Sequence, residues 1–297
     1  MRLGTIEVDG ARRAALILND EAIDLSEALD RKIEDAAALL ESGIAFEELE
    51  RRGLSSRARR VPLDSVKLHA PILRPGKILG VAMNYHSFVN AALERGMPIP
   101  PARLWFLRPN SCIAGARDDI WLPQGATDLD FEVELAIVIG TRCRDVPAKS
   151  AHRVIAGFTI ANDLTLRRMI SKSLAFAKAF DTHTPVGPWI VTENELGDPH
   201  SLAVRTWVNG ELRQDGNTAD MIERCYELIQ EISENCTLNP GDLILTGTPA
   251  GSGIFESPPA GLCVGDVVRL EIEGIGSIEN RVISEPDASA NFEKRSP

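Results

Sequence analysis

Three acidic side chains at alternate positions, Asp130, Glu132 and Glu134, stand at the start of an apolar run that ends at Gly140. Successive side chains of a β-strand point to opposite faces, so a strand here places the carboxylates on one face and bulky apolar residues on the other. Same-face neighbours are roughly 6.5–7 Å apart and repel each other by about 2.4 kcal/mol at an effective dielectric constant near 20. Water or a cation must relieve this repulsion.

The residues alone leave two interpretations open. The segment is either an amphipathic strand with its acidic face in solvent, or a site for a hard cation such as Mg²⁺, Mn²⁺ or Ca²⁺, which prefers oxygen ligands. A metal site needs a further carboxylate, and Asp163 at the end of another apolar, strand-like run is a candidate. Aspartate is also a common cap, so spacing does not decide between the two roles.

The elements that must position these residues are mainly short β-strands. Apolar runs bounded by Gly, Pro and Asp predict strands at residues 77–81, 132–139, 158–161, 189–191, 203–208, 243–245 and 267–272. The clearest helical pattern covers residues 220–234. Because few long helices separate the strands, we expect an α+β fold with a mainly β core rather than a doubly wound parallel sheet.

The first part of the chain has a different pattern. Residues 2–8 and 14–18 predict a hairpin, two short helices are expected over 29–40 and 46–52, and prolines then cluster between 62 and 75. We therefore expect a small N-terminal α/β domain at residues 1–70, a catalytic domain at 71–285 and a tail at 286–297.

Composition excludes several classes of protein. The formal net charge of -11 disfavours nucleic acid and anionic membranes as partners, and the basic run near residues 51–60 has no aromatic residues for base stacking. The 5 cysteines form no C-x-x-C pair. No apolar stretch approaches the roughly 18 residues of a membrane span, and the N-terminus lacks a signal-peptide pattern, so we expect a cytoplasmic protein.

Several separated segments together resemble the fumarylacetoacetate hydrolase family, which includes acylpyruvate hydrolases, oxaloacetate decarboxylases and hydroxyheptadienedioate isomerases. The segments are Asn84-Tyr85, D-F-E-V-E-L-A-I-V-I-G from 130, A-N-D-L-T-L-R from 161, K-A-F-D-T-H-T-P-V-G-P from 178 and G-D-L-I-L-T-G-T-P-A-G-S-G from 241. They stand in the family's order and span most of residues 71–283.

The resemblance implies a mixed β-sandwich roll with a metal site at its mouth, preceded by a small α/β domain, and it implies a homodimer. It assigns Glu132, Glu134 and Asp163 as ligands of Mg²⁺ or Mn²⁺, with Ca²⁺ also compatible, and it gives Asp130 no ligand role. The implied substrate is a small oxo-acid.

The resemblance also implies roles for other residues. Arg167 corresponds to an arginine that contacts the substrate, and Lys178 to a lysine that stabilises enolate charge. A helix through 163–167 would put Asp163 and Arg167 on one face. Further substrate contacts are assigned to Asn84, Tyr85, Gly247 and Thr248, the glycine allowing close approach of the backbone.

The sequence departs from the family pattern where the lid helix usually carries His-x-x-Glu after Asn-Tyr. Phe88 and Ala91 occupy those places, whereas His86 lies two residues early. We consider His86 as a replacement base and His183 as a second candidate. Ile170 replaces a common glutamine, which predicts a more apolar substrate or a differently held carboxylate.

Three hypotheses follow from the resemblance. The leading one is metal-dependent hydrolysis of a C–C bond in an acylpyruvate-like or fumarylpyruvate-like diketo-acid. The absent His-Glu dyad raises the second, tautomerisation, isomerisation or decarboxylation of an oxo-acid, which needs no attacking water. The third is a catalytically idle protein that binds a metal and an oxo-acid.

Overall fold

A computed structural model describes residues 1–55 and 57–287; the predicted tail lies outside these residues from 288 onward. The strands are β1 (Arg2–Val8), β2 (Ala11–Leu18), β3 (Glu21–Asp24), β4 (Arg60–Pro62), β5 (Lys67–His69), β6 (Ile78–Val81), β7 (Trp105–Arg108), β8 (Ile113–Ala114), β9 (Ile120–Leu122), β10 (Leu129–Asp130), β11 (Val133–Ile139), β12 (Ile155–Asn162), β13 (Thr165–Leu166), β14 (Thr184–Val191), β15 (Ala203–Val208), β16 (Glu211–Asn217), β17 (Leu243–Leu245), β18 (Val267–Ile272) and β19 (Gly276–Ser284). The α-helices are α1 (Leu25–Ala28), α2 (Ala36–Glu41), α3 (Phe46–Ser55), α4 (His86–Glu94), α5 (Leu174–Ala177), α6 (Glu193–Leu196) and α7 (Cys225–Asn235).

Two large sheets dominate the molecule. One has twelve strands in the order β4-β3-β2-β1-β14-β12-β11-β17-β6-β7, with β5 beside β1 and β8 beside β14, and the other has five in the order β16-β15-β18-β19-β9. Most neighbouring strands are antiparallel, but β17 runs parallel to β6, β14 to β8 and β19 to β9. The expected mainly β, α+β fold with mixed sheets is confirmed.

Strand β11 shows how the sequence builds the core. Leu135 and Ile137 belong to an apolar cluster shared with Leu270 of the five-stranded sheet, whereas the alternating Val138 joins a second cluster with Leu16 of β2. Each fully buried Leu or Ile contributes about 1.5–3 kcal/mol. The strand is therefore buried on both faces, and its acidic residues do not lie on a solvent-exposed face.

The N-terminal segment shares a sheet and a core with the later strands. Leu3 of β1 pairs with Ile190 of β14, and both belong to the second apolar cluster. The division into domains at residue 70 stays a prediction.

The helix expected over 29–40 is wrong in its first half, because Asp30 has a left-handed φ of 50° and Asp35 caps the later start of α2.

The acidic segment is two strands rather than the single strand that alternation predicts. β10 ends at Asp130 and β11 begins at Val133. Side chains bind two backbone N–H groups at the break: Asn162 accepts the Glu132 N–H at 3.1 Å and Gln214 accepts the Val133 N–H at 3.1 Å. The break frees Glu132 from the strict alternation of a strand.

In the described part of the chain, no helix has the length and apolar character needed to cross a bilayer.

Candidate metal centre and its cavity

The three carboxylates predicted as metal ligands converge on one point. Glu132 lies in the break before β11, Glu134 within β11 and Asp163 in the turn after β12, and one oxygen of each lies within 4.8 Å of the others. All three residues are buried, so the interpretation as a solvated acidic strand is wrong. Three hard oxygen donors in this arrangement fit Mg²⁺ or Mn²⁺, and Ca²⁺ is compatible with them.

Two basic side chains that the sequence predicts at the site, Lys178 and Arg167, contact this cluster directly. Buried Lys178 donates to Glu132 Oε2 at 2.9 Å and also to Asp163 Oδ2. Arg167 donates to Glu132 Oε1 at 2.6 Å and to Asp130 Oδ2 at 2.9 Å. The helix through 163–167 is wrong: β13 intervenes, Arg167 begins a 3-10 turn, and it reaches the cluster through Glu132 rather than by a shared helix face.

The carboxylates differ in how their charge is balanced. Burial opposes ionisation of Glu132, but Lys178 and Arg167 outweigh it and lower the pKa of this carboxyl. Burial and the charge of Glu132 raise the pKa of Glu134 to about 8, although Lys178 opposes the shift. Among the described residues no cation lies within 4.0 Å of Glu134, which accepts the Gly247 N–H at 2.7 Å. A bound divalent cation would supply a positive charge next to Glu134.

Arg108 is part of the site and was missed by the sequence analysis. This residue ends β7, is buried, and donates to Asp163 Oδ1 and to the carbonyl of His183. The alternation of Trp105-Phe106-Leu107-Arg108 carries a signal, since it puts Arg108 on the same face as the buried Phe106 ring. A buried arginine requires a carboxylate partner, which here is a candidate metal ligand.

The predicted loop residues Gly247 and Thr248 line the cavity beside the carboxylates. The backbone N–H of Gly247 already donates to Glu134, so this glycine positions a candidate metal ligand. Thr248 Oγ1 accepts from Gln214 Nε2 at 2.8 Å, which leaves the hydroxyl hydrogen of Thr248 to point elsewhere. Gln214 is a second residue that the sequence analysis missed; its carboxamide connects β11 to this loop.

Asn84 and Tyr85, predicted to bind substrate, have structural contacts. The Asn84 carboxamide donates to the carbonyls of Thr246 at 2.8 Å and Glu223 at 2.9 Å, and its oxygen accepts the Glu223 N–H at 2.9 Å. Tyr85 is fully buried in the core. Neither side chain is brought to the cavity that the carboxylates line, and their substrate contacts stay predictions.

The two candidate histidine bases lie outside the cavity lining. His86 is exposed at the first position of α4. His183 is fully buried, its Nε2 lies 2.9 Å from the carbonyl of Trp121, and burial lowers the pKa of its imidazole to about 4. Phe88 of α4 does line the cavity and packs edge-on against Phe255, with ring centroids 4.9 Å apart.

The cavity has a volume of about 350 Å³. Its ionisable lining consists of Glu132, Glu134, Asp163, Arg167 and Lys178. The Phe106 ring lies 4.8 Å from the Lys178 ammonium and covers it. The lining of this one cavity therefore contains groups that are complementary to a metal ion, to a carboxylate and to an enolate oxygen.

Comparison with known proteins identifies the family of this chain. The profile described as fumarylacetoacetate hydrolase C-terminal matches residues 77–283. The chain is 40% identical over 248 residues to the mitochondrial oxaloacetate tautomerase FAHD2A of Homo sapiens, covering 82% of this chain and 78% of that protein.

Solved structures show the same relationship. Maleylpyruvate hydrolase from Sphingobium sp. SYK-6, in complex with manganese(II) and pyruvate, is 30% identical with a TM-score of 0.81, covering 96% of this chain and 100% of that one. A 2-hydroxyhepta-2,4-diene-1,7-dioate isomerase from Mycobacterium marinum is 35% identical with a TM-score of 0.75, covering 97% and 100%. The chain belongs to the fumarylacetoacetate hydrolase family, as its sequence motifs predict, and the relatives named here are enzymes of that family.

Proposed function

We propose that the protein is a divalent-metal-dependent enzyme that enolises a small 2-oxo acid, acting as a tautomerase or isomerase. The observation that carries this proposal is the position of Phe88. It lines the cavity at the place where the family pattern has the lid histidine, so an apolar ring stands where a water-activating base is expected. Enolisation moves a proton and needs no attacking water. The 40% identity to an oxaloacetate tautomerase supports the same reaction class.

The metal in this proposal is Mg²⁺ or Mn²⁺, held by Glu132, Glu134 and Asp163. Support comes from the convergence of their oxygens within 4.8 Å and from the manganese(II) present in the maleylpyruvate hydrolase. When bound, the cation would polarise the oxo group and stabilise negative charge on its oxygen.

The protein's own residues supply the remaining steps. Arg167 uses Nε and Nη2 for carboxylates of the protein, which leaves Nη1 to bind the substrate carboxylate. Enolisation breaks a C3–H bond: the proton passes to the neutral amine of Lys178, and the electron pair of the bond moves toward the oxo oxygen. The resulting ammonium returns the proton to that oxygen or exchanges it with solvent. Burial, together with Arg108 and Arg167, lowers the pKa of Lys178, which eases proton transfer through its amine. The Thr248 hydroxyl oxygen accepts from Gln214, and its hydrogen would donate to a substrate oxygen.

C–C bond hydrolysis of an acylpyruvate-like diketo-acid is the second candidate. The structural likeness to maleylpyruvate hydrolase, with a TM-score of 0.81, favours it. That reaction also passes through an enolate leaving group, so the same metal and lysine would serve it. It additionally needs a base for water, and neither His86 nor His183 lines the cavity.

The test is turnover of a panel of oxo-acids by the purified protein with Mn²⁺ or Mg²⁺. Oxaloacetate, acylpyruvates and a dienedioate are followed by ¹H NMR in D₂O. Exchange of C3 protons or a shifted double bond supports the proposal, and products of C–C hydrolysis support the second candidate. Binding without conversion would instead indicate a catalytically idle binding protein.

A matched pair of variants ties any activity to the site. Glu132→Ala should abolish metal-dependent turnover, because it removes a ligand and the partner of two cations. The control is Glu50→Ala, an exposed glutamate of α3. Unchanged turnover in Glu132→Ala would reject the metal assignment.

A further inference from the structure

The lining of the cavity beside the three carboxylates contains a set of ionisable residues and a larger set of apolar residues. All of its ionisable side chains belong to the cluster around Glu132, in which each cation contacts a carboxylate. Apart from Gly247 and Thr248, the remaining lining is apolar. This apolar wall includes Phe88, Met97, Pro98, Leu104, Ile170 and Ile254.

Four lysine or arginine residues outside the cluster around Glu132 lie within two positions of the apolar wall along the chain, and none of them lines the cavity: Arg95, Arg103, Arg168 and Lys172. Arg95 donates to the carbonyl of Phe255 and lies 5.2 Å from the centroid of its ring. Arg103 forms ion pairs with Glu223 at 2.8 Å and with Glu231.

Two of these cations flank Ile170 in the chain. Arg168 forms an ion pair with Asp128 at 3.5 Å, and Lys172 is exposed. Among the described residues, a second negative charge on a bound substrate would therefore meet no lysine or arginine of the cavity lining other than Arg167 and Lys178 of the cluster around Glu132.

We propose that the protein selects 2-oxo acids whose far end is apolar and uncharged, and that Ile170 and Leu104 are specificity-determining residues. The inference rests on the proposed function, because it assumes that the carboxylate and the 2-oxo group of the substrate bind at the cluster around Glu132. It differs from what the relatives' names describe, since oxaloacetate and 2-hydroxyhepta-2,4-diene-1,7-dioate each carry two carboxylates.

Ile170 and Leu104 are suited to this role by position and exposure. The Ile170 N–H donates to the Arg167 carbonyl at 3.1 Å, so a 3-10 turn joins this isoleucine to the arginine that is proposed to bind the substrate carboxylate. Leu104 precedes β7, the strand that carries Phe106 and Arg108. Ile170 is 37% and Leu104 43% exposed although both line the cavity, so a bound apolar group would cover surface that now contacts water.

The test compares two acids of nearly equal shape, 2-oxoglutarate and 5-methyl-2-oxohexanoate, which differ by a carboxylate in place of an isopropyl group. C3 proton exchange in D₂O gives kcat/KM for each with the Mn²⁺-loaded enzyme, and calorimetry gives Kd. We expect the isopropyl acid to be favoured by about 100-fold in kcat/KM, because a desolvated carboxylate without a partner is strongly disfavoured.

The outcomes separate the two proposals. A preference for 2-oxoglutarate, or equal kcat/KM values, overturns the inference and leaves enolisation standing. If neither these two acids nor the oxo-acid panel above reacts faster than in a metal-only blank, the proposed function fails, and the Kd ratio then decides the inference. At least tenfold tighter binding of the isopropyl acid supports selection by the apolar wall, and tighter binding of 2-oxoglutarate rejects it.

Variants with an arginine at one position test which residues determine the preference between the two acids. Ile170→Arg should shift the kcat/KM ratio at least tenfold toward 2-oxoglutarate, and Leu104→Arg provides a second, independent position. Leu93→Arg is the matched control, because Leu93 is 57% exposed on α4 and does not line the cavity. A ratio that moves equally in all three variants, or in none, would contradict the assignment of these two residues.

Discussion

Arg108 and Asp163 form a fully buried ion pair between the end of β7 and the turn after β12. The pair uses Asp163 Oδ1, while Oδ2 faces Lys178. Arg108 therefore fixes the orientation of a candidate metal ligand without lining the cavity itself. Partners of this kind around metal ligands govern affinity as well as geometry.

Arg108→Met should destabilise the protein by about 3–5 kcal/mol, because it leaves Asp163 buried without this partner. Mn²⁺ affinity should fall about 10–100-fold. Urea unfolding and calorimetry measure the two effects. The control is Arg59→Met, which breaks an exposed pair with Asp9 and should cost less than about 1 kcal/mol. Equal losses in the two variants would contradict the role of Arg108.

Glu134→Gln should stabilise the metal-free protein and abolish its stabilisation by Mn²⁺. The pKa of Glu134 is raised to about 8 from 4.5, so the folded state holds a proton that the unfolded chain releases. Stability is consequently lost as pH rises from 4.5 toward 8, by about 3 kcal/mol at pH 7, and glutamine removes this loss.

Thermal unfolding at pH 5 and pH 8 checks the sign of this effect. Without metal, the stability of the wild type minus that of the variant should be lower at pH 8 than at pH 5. With Mn²⁺ at 100 times its Kd, wild type alone should gain about 2.7 kcal/mol. A variant that still gains stability from Mn²⁺ would show that Glu134 is not a ligand.

His183 should make the fold sensitive to acid. Burial lowers the pKa of this imidazole to about 4 from 6.5, so its contribution to stability is complete above pH 6.5 and is lost as pH falls toward 4. The total loss is about 3 kcal/mol. His183→Gln should flatten stability over this range in urea titrations, whereas His152→Gln, at an exposed position, should not.

Phe88→His combined with Ala91→Glu should introduce C–C hydrolysis of acylpyruvates. The two positions lie three residues apart on α4, so the new side chains share a helix face, and Phe88 already borders the cavity. Product release is followed by NMR, with Phe88→Leu as the control for lost contact with Phe255. Absence of hydrolysis in a folded double variant would show that the missing dyad does not limit this reaction.

The sequence predicts those parts of the site that depend on local pattern. Strands at 203–208, 243–245 and 267–272 have the predicted bounds, and the family motifs identified three carboxylates that do converge. Arg108 and Gln214 were missed because their partners are distant in the chain: Arg108 meets a residue 55 positions away and Gln214 one 81 positions away. The break before β11 was missed for the same reason, since side chains from β12 and β16 create it.

The pairing of β1 with β14 joins the leading strands to the sheet that carries Glu134. A fragment that starts at residue 71 would expose the edge of β14 and the apolar residues that Leu3 and Leu16 now cover. Unpaired strand edges recruit other chains, so such a fragment is expected to aggregate rather than to remain a minimal enzyme. Engineering that shortens the protein should therefore retain the leading strands.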